Sequence, residues 1–396
     1  MATALFDDLT RTDPKPARQA ESSFAFLNRV DQPFWARVRD AHEDWFREYT
    51  GDRRDLRARF RSSAPEQHFG AWWELYLFTL FTRLGFVVET HPKLADVSRR
   101  PDFRLRRDDD SFLVEAMYVQ SGLAGERRSG AREAWVVDPI NALEHPNFFV
   151  GLSFDHAGTV RPGTAEVVAG ITDWLDGLNP DRAGDYERRT FTAKDWKFTL
   201  TAFPVKPEAR ARRRDGLIGI HSPVSGWVQD AGQLRKSLRG KAQKYGTPSE
   251  PFLLAPLMMS GFADTEDVAE ALLGDDAVRI SLSEAYQPVP IRRGNGFWVS
   301  EHGIRGTRIS GLLVGSGLQP WSLVSVLPAL WLNPFATHPL LASLPFQTNS
   351  WDAEGVFREG APSAHAADVL GLPADWPGPE APFPRVDRDA SESASR

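Results

Sequence analysis

Cysteine is absent from the 396 residues, which removes disulfides, cysteine nucleophiles and thiolate zinc sites together. Any metal must therefore be held by carboxylates, histidines or backbone oxygen. The nine histidines include no HExxH or other tight ligand pair, which shifts the expectation from zinc to a hard ion such as magnesium. No apolar run approaches the roughly 18 residues of a membrane span, and Met1 to Asp8 lacks the basic-then-apolar plan of a signal peptide. The expectation is a cytoplasmic protein with no membrane partner. Fixed-period repeats and heptads are missing too, which disfavours a solenoid or a coiled coil. A phosphate-binding glycine loop, a GxSxG elbow and an acid-base histidine pair are also lacking, so an α/β enzyme acting on a small phosphorylated substrate finds no support.

What is present is enough apolar residue, 41%, for a real core. Helix-like and strand-like stretches alternate from residue 68 onward, which predicts a mixed α/β fold. The net charge of −6, from 47 basic and 53 acidic residues, is mildly against a large nucleic-acid surface, and local clustering decides. The chain divides by pattern into a flexible lead (1–24), an N-terminal helical region (25–66), a core (67–260) with an insertion near 120–230, a C-terminal α/β region (261–372) and a proline-rich disordered tail (373–396).

From Pro33 to Phe60, aromatic and aliphatic residues recur at helical intervals, as two amphipathic helices broken near Thr50-Gly51. Gln67 to Leu84 is apolar nearly all round, as a buried helix is. Glu74 lies among its apolar residues, and burying an unpaired carboxylate costs several kcal/mol. From the helix alone, pairing with a nearby arginine is the simpler account of it. A strand from Phe86 to His91 follows, and then Arg100-Pro101-Asp102-Phe103 opens a second strand. After the turn Asp108 to Ser111, the strand Phe112 to Val119 sets Leu113, Glu115 and Met117 on one face. The short turn carries Asp102 toward Glu115.

Between Ala231 and Ser249 there is no acidic residue, and Arg235, Lys236, Arg239, Lys241 and Lys244 make this the cleanest basic helix in the chain. Lys241 falls on the apolar stripe of Leu234, Leu238 and Tyr245, so it either snorkels to water along the core edge or faces something inside. A buried strand, Pro251 to Leu257, follows. Further on, Ile309 to Val314 and Trp321 to Leu327 read as strands. Trp331 to Ala336 reads as core, or alternatively as a base-stacking platform.

A helix carrying Glu74, then Pro101-Asp102 on one strand and Glu115 on the next, resembles the core of the PD-(D/E)xK nuclease superfamily, with its restriction-endonuclease-like fold. The likeness covers about 50 residues. It implies a mixed sheet flanked by helices, with N-terminal helices and extra C-terminal strands added. It also implies Mg²⁺, or Mn²⁺, held by Asp102, Glu115 and Glu74, and hydrolysis of phosphodiester bonds in DNA rather than RNA. The family's lysine is expected two residues after the strand acid, where this chain has Met117. Lys241 is the candidate replacement, since the lysine of some members sits on a neighbouring helix. Arg99, Arg100, Arg235, Lys236, Arg239 and Lys244 would hold the nucleic-acid backbone, with the arginines at 104, 106 and 107 beside them. The alternative is a nuclease-like protein that binds nucleic acid or acts as a scaffold without catalysis. The sequence leaves open a homodimer or a partner protein.

Overall fold

The computed structural model describes residues 4–18, 21–94, 99–119, 124–181, 187–205, 210, 217–222, 230–259, 265–280, 288–352 and 355–379. Contacts divide the chain into two units: 1–14, 23–121 and 229–396 form one, and 15–22 with 122–228 the other. The second unit covers the stretch where the sequence suggested an insertion. No helix among the described residues is long and apolar enough to cross a membrane.

The first unit opens with helices α1 (Ser23–Arg29), α2 (Pro33–Glu48), α3 (Arg53–Phe60) and α4 (Pro65–Arg83), then strands β1 (Val87–Thr90), β2 (Phe103–Arg107) and β3 (Asp110–Val119). Proline in the first turn of α2 and of α4 suits a position whose N–H has no helical partner. Gly85, at φ 82°, turns the chain out of α4. The second unit contributes α5 (Ala124–Asn141), β4 (Phe148–His156), α6 (Thr164–Val168), α7 (Ile171–Asp176), β5 (Arg188–Ala193), β6 (Trp196–Pro204) and β7 (Ile218–Ser222). Gly170, whose φ of 72° is left-handed, separates α6 from α7. The first unit resumes with α8 (Asp230–Ala242), β8 (Phe252–Met258), α9 (Thr265–Leu273), β9 (Asp276–Ile280), β10 (Pro288–Arg292), β11 (Val299–Ser300), β12 (Gly303–Ile304), β13 (Gly311–Ser316), β14 (Ala329–Leu332), β15 (Thr348–Trp351), β16 (Phe357–Gly360) and α10 (Ala366–Leu370).

Eight strands form the main sheet in the order β1-β2-β3-β8-β13-β14-β15-β16. The pair β2–β3 is an antiparallel hairpin, whereas β3, β8 and β13 run parallel. This is the mixed α/β architecture expected from the alternation of helix and strand. Strands from the 67–260 stretch and from the C-terminal region share it, because β13 pairs directly with β8. Central strands covered on both sides read as continuous apolar runs, and every residue of β8 is buried.

Each face has its own core. On one, Phe112, Val114, Leu253, Ala255 and Leu313 pack with α2, α3 and α4. On the other, Leu113, Met117, Leu254 and Leu312 pack with Leu234 and Leu238 of α8 and with α9. The period-2 alternation of β3 therefore sends Glu115 toward α8 and away from α4.

Three expectations change. The lead is not free: Leu5 and Phe6 are buried, and the Phe6 N–H donates to Glu43 at 2.7 Å, so two apolar residues anchor an otherwise polar stretch. The start of the tail is packed as well, with Trp376 buried and the Arg37 guanidinium donating to the Pro377 carbonyl; residues 380–396 lie outside the described residues. Trp321 to Leu327 forms turns, and Leu323 and Leu327 are buried without pairing in a ladder. Trp331, 2% exposed, belongs to the core.

Candidate active site

Asp102 stands one residue before β2, and Phe103 pairs with Val114, so the next rung brings Asp102 level with Glu115. The Ala116 N–H donates to Asp102 Oδ2 at 2.7 Å, folding the aspartate back onto β3. Its side chain keeps 20% of its surface open. Burial raises the Asp102 carboxyl well above the ordinary carboxylate range, and the negative charges of Glu115 and Glu74 add to that effect. Lys241 and the Ala116 N–H pull the other way without cancelling it.

Glu115 is 3% exposed. Lys241 reaches it from α8, with Nζ 2.5 Å from Oε1 and 3.4 Å from the Ala116 carbonyl oxygen. The lysine of the apolar stripe thus faces a buried acid, and its side chain remains 28% exposed. Met117, where the resemblance led to the expectation of a lysine, is buried against the same helix. Glu115 Oε2 is buried and has no hydrogen-bond partner among the described residues. Tyr245, four residues beyond Lys241 and so on the same side of the helical turn, also borders Glu115. Burial, then the charge of Glu115, raises the Tyr245 hydroxyl so that it stays protonated at any ordinary pH.

Glu74, expected beside these two acids, belongs to the other face. Its Oε1 accepts from the Tyr49 hydroxyl at 2.6 Å and its Oε2 from the Arg59 guanidinium at 2.7 Å. This is the arginine pairing that the helix alone suggested. His91 links the two regions loosely, with Nε2 3.8 Å from Glu74 Oε1 and Nδ1 3.9 Å from Asp102 Oδ1. Its φ of 48° is unusual for a residue with a side chain, and its N–H donates to the Asp102 carbonyl at 2.8 Å. Among the described residues, no three acids or histidines are gathered as an ion's ligands.

The basic residues divide. Arg99, Arg100, Lys236 and Lys244 are exposed. Arg239 is exposed too, but donates to the Asn295 and Gly296 carbonyls. Arg235, expected to touch a nucleic-acid backbone, is 9% exposed and is paired with Asp275 and the Glu270 carbonyl. It ties α8 to the end of α9 and is not on offer to a ligand. Arg104 and Arg106 pair with Glu89, Arg104 also with Glu250, and Arg107 donates to the Leu84 and Ser343 carbonyls.

Sequence reading missed Tyr49, Arg59, His91 and Tyr245 as neighbours of these acids. Tyr245 left a signal in its four-residue spacing from Lys241, and Arg59 left one in the arginine partner expected for a buried glutamate. No protein-family model matches the chain, and no curated protein or solved structure matches it either.

Proposed function

We propose that the chain is a metal-dependent phosphodiesterase of the PD-(D/E)xK kind, acting on DNA in preference to RNA through a restriction-endonuclease-like core. The observation that carries this reading is the meeting of Asp102, Glu115 and Lys241 from three separate elements at one end of the β2–β3 hairpin. A scaffold does not require two acids and a lysine to converge there. The donor set suits Mg²⁺, which commonly takes one or two carboxylates and fills its remaining positions with water and substrate oxygens. Asp102, Glu115 and the Ala116 carbonyl would hold it. The raised Asp102 carboxyl and the unpartnered Glu115 Oε2 are the two features a cation would relieve. When bound, such an ion supplies Lewis-acid polarisation of the phosphate and lowers the pKa of water.

The chain's own residues do the rest. Lys241 presents its ammonium beside Glu115, where it orients the attacking water and offsets charge growing on the phosphate. Tyr245 remains a neutral donor beside the same carboxylate. Glu74 has no place among the ligands in this reading: it fixes α4 to α2 and α3 through Tyr49 and Arg59. Arg99, Arg100, Lys236 and Lys244 bind backbone phosphate without selecting bases.

A second reading, a binding protein without catalysis, is favoured by the direct ion pair between Lys241 and Glu115, which already neutralises one of the two acids. Incubation with duplex DNA, single-stranded DNA and RNA in Mg²⁺ or Mn²⁺ decides between them. Cutting that Asp102→Ala and Glu115→Ala each abolish is the expected result. Inertness of the wild-type protein on all three substrates, with Mg²⁺-independent binding retained, establishes the second reading.

A further inference from the structure

The second unit carries a four-stranded sheet in the order β5-β6-β4-β7. One face is the unit's core: Val150, Leu152, Phe198 and Leu200 pack there with Val136 of α5, Val167 of α6 and Ile171 of α7. The opposite face has a different composition. Phe149 and Phe203 are paired across β4 and β6 and stacked, with ring centroids 5.2 Å apart and planes 14° from parallel. Both rings are half-buried. The next rungs along β6 set Thr201 beside Arg188, Thr199 beside Thr190, and Lys197 beside Thr192.

On this face Arg188, Thr190, Thr192 and Lys197 are exposed. The side chains of Arg188 and Lys197 form no ion pair or hydrogen bond among the described residues, in contrast to Arg104 and Arg106 of the main sheet, each of which has an acid beside it. The carboxylate here, Asp155, accepts from the Thr199 hydroxyl at 2.7 Å, and Thr199 meets the Thr190 hydroxyl at 2.9 Å. A cross-strand phenyl pair steadies the sheet by itself, but unpaired cations lined up beside it add nothing to the stability of a sheet face. Aromatic rings that stack, hydroxyls that hydrogen-bond and cations that meet phosphates are the combination that holds single-stranded nucleic acid without regard to sequence.

We infer that this face, from Phe149 to Arg188 and Lys197, binds single-stranded nucleic acid, with a base on the Phe149 ring, which Phe203 backs, and phosphates at the two cations. From Phe203 to Lys197 the platform runs about 20 Å, and from β5 to β4 it is about 10 Å wide, the scale of a strand of a few nucleotides. The inference does not depend on the Asp102 region being catalytic.

The test uses the full chain in EDTA, where no metal-dependent cutting can occur, and the fluorescence anisotropy of labelled oligothymidylate, oligouridylate and a duplex of equal length. Both single strands are expected to bind more tightly than the duplex. Arg188→Ala and Lys197→Ala should each weaken binding and lower the slope of log K against log salt by about 0.7. Phe149→Leu, which keeps an apolar body against Phe203 and removes the ring, should weaken binding about tenfold. Circular dichroism of each variant verifies the fold. No binding of either single strand, equal binding of the duplex, or a salt slope unchanged in both cation variants overturns the inference. Because cleavage is not the readout, an inert Asp102 region and a failed platform give different results.

Discussion

Two glutamates, each 3% exposed, sit on opposite sides of one sheet. Glu74, on the α4 side, has a donor on each oxygen, Tyr49 on one and Arg59 on the other. Glu115, on the α8 side, has Lys241 on one oxygen and, among the described residues, no hydrogen-bond partner on the other; Tyr245 and the raised carboxyl of Asp102 lie alongside. Burial alone therefore does not mark a functional acid. A buried charge with all its hydrogen bonds made is a fixture of the fold, whereas one left partly unsatisfied beside a second acid can still accept a cation.

Activity should separate them most strongly. Glu115→Gln is expected to lower Mg²⁺-dependent cleavage by about 10³-fold or more, while Glu74→Gln stays within a few-fold of wild type. Equal losses in two folded variants would erase the distinction. Stability should separate them in the opposite order. Glu74→Ala strands the Arg59 guanidinium and the Tyr49 hydroxyl and should cost about 3–5 kcal/mol in urea denaturation. Glu115→Ala should cost clearly less, because Lys241 is partly exposed and can turn to water.

Acid should act first on the α4 side. Burial lowers His42 and His68 from 6.5 to about 4. The neutral His42 ring donates from Nδ1 to the Val38 carbonyl and accepts the Trp72 indole N–H at Nε2. Groups lowered in the fold contribute stability that is present above pH 6.5 and is lost as pH falls toward 4, about 3 kcal/mol for each. A urea midpoint that stays flat from pH 7 to pH 4 would contradict this.

The smallest effect belongs to Asp102. Its carboxyl is raised, so the stability it contributes is full below its ordinary value of 3.8 and is lost as pH climbs through the folded-state value. Asp102→Asn should raise the neutral-pH stability by about 1 kcal/mol, a few degrees in Tm, and the gain should vanish near pH 4. Instability of this variant at neutral pH would mean that the charge is already compensated.

Much of the fold was readable because it is local. The buried helix around Trp72 and Trp73, the break near Gly51 and the all-apolar β8 follow from periodicity and turn residues over short spans. The anchoring of Leu5 and Trp376 was not readable, since a lone apolar residue in a polar stretch gains its meaning from a pocket made elsewhere in the chain. The same holds for Arg235: a basic helix looks like a solvated or ligand-binding face until Asp275, 40 residues away, is brought against it. In the second unit, the cations of β5 and β6 carried no signal until strand pairing set them on one face with Phe149 and Phe203.

The sequence by itself determined that Glu115 shares a face with Leu113 and Met117, and that Lys241 lies on an apolar stripe, because both follow from fixed backbone periods. Only the tertiary structure decided the partners. It laid the stripe of α8 over the Glu115 face, so that an ammonium 126 residues away meets the carboxylate. It also put the sheet between Glu115 and Glu74. Three acids adjacent in sequence order thus became one pair facing Lys241 and one fixture of the core, because what a buried charge does depends on the donors that packing brings within about 3 Å of it.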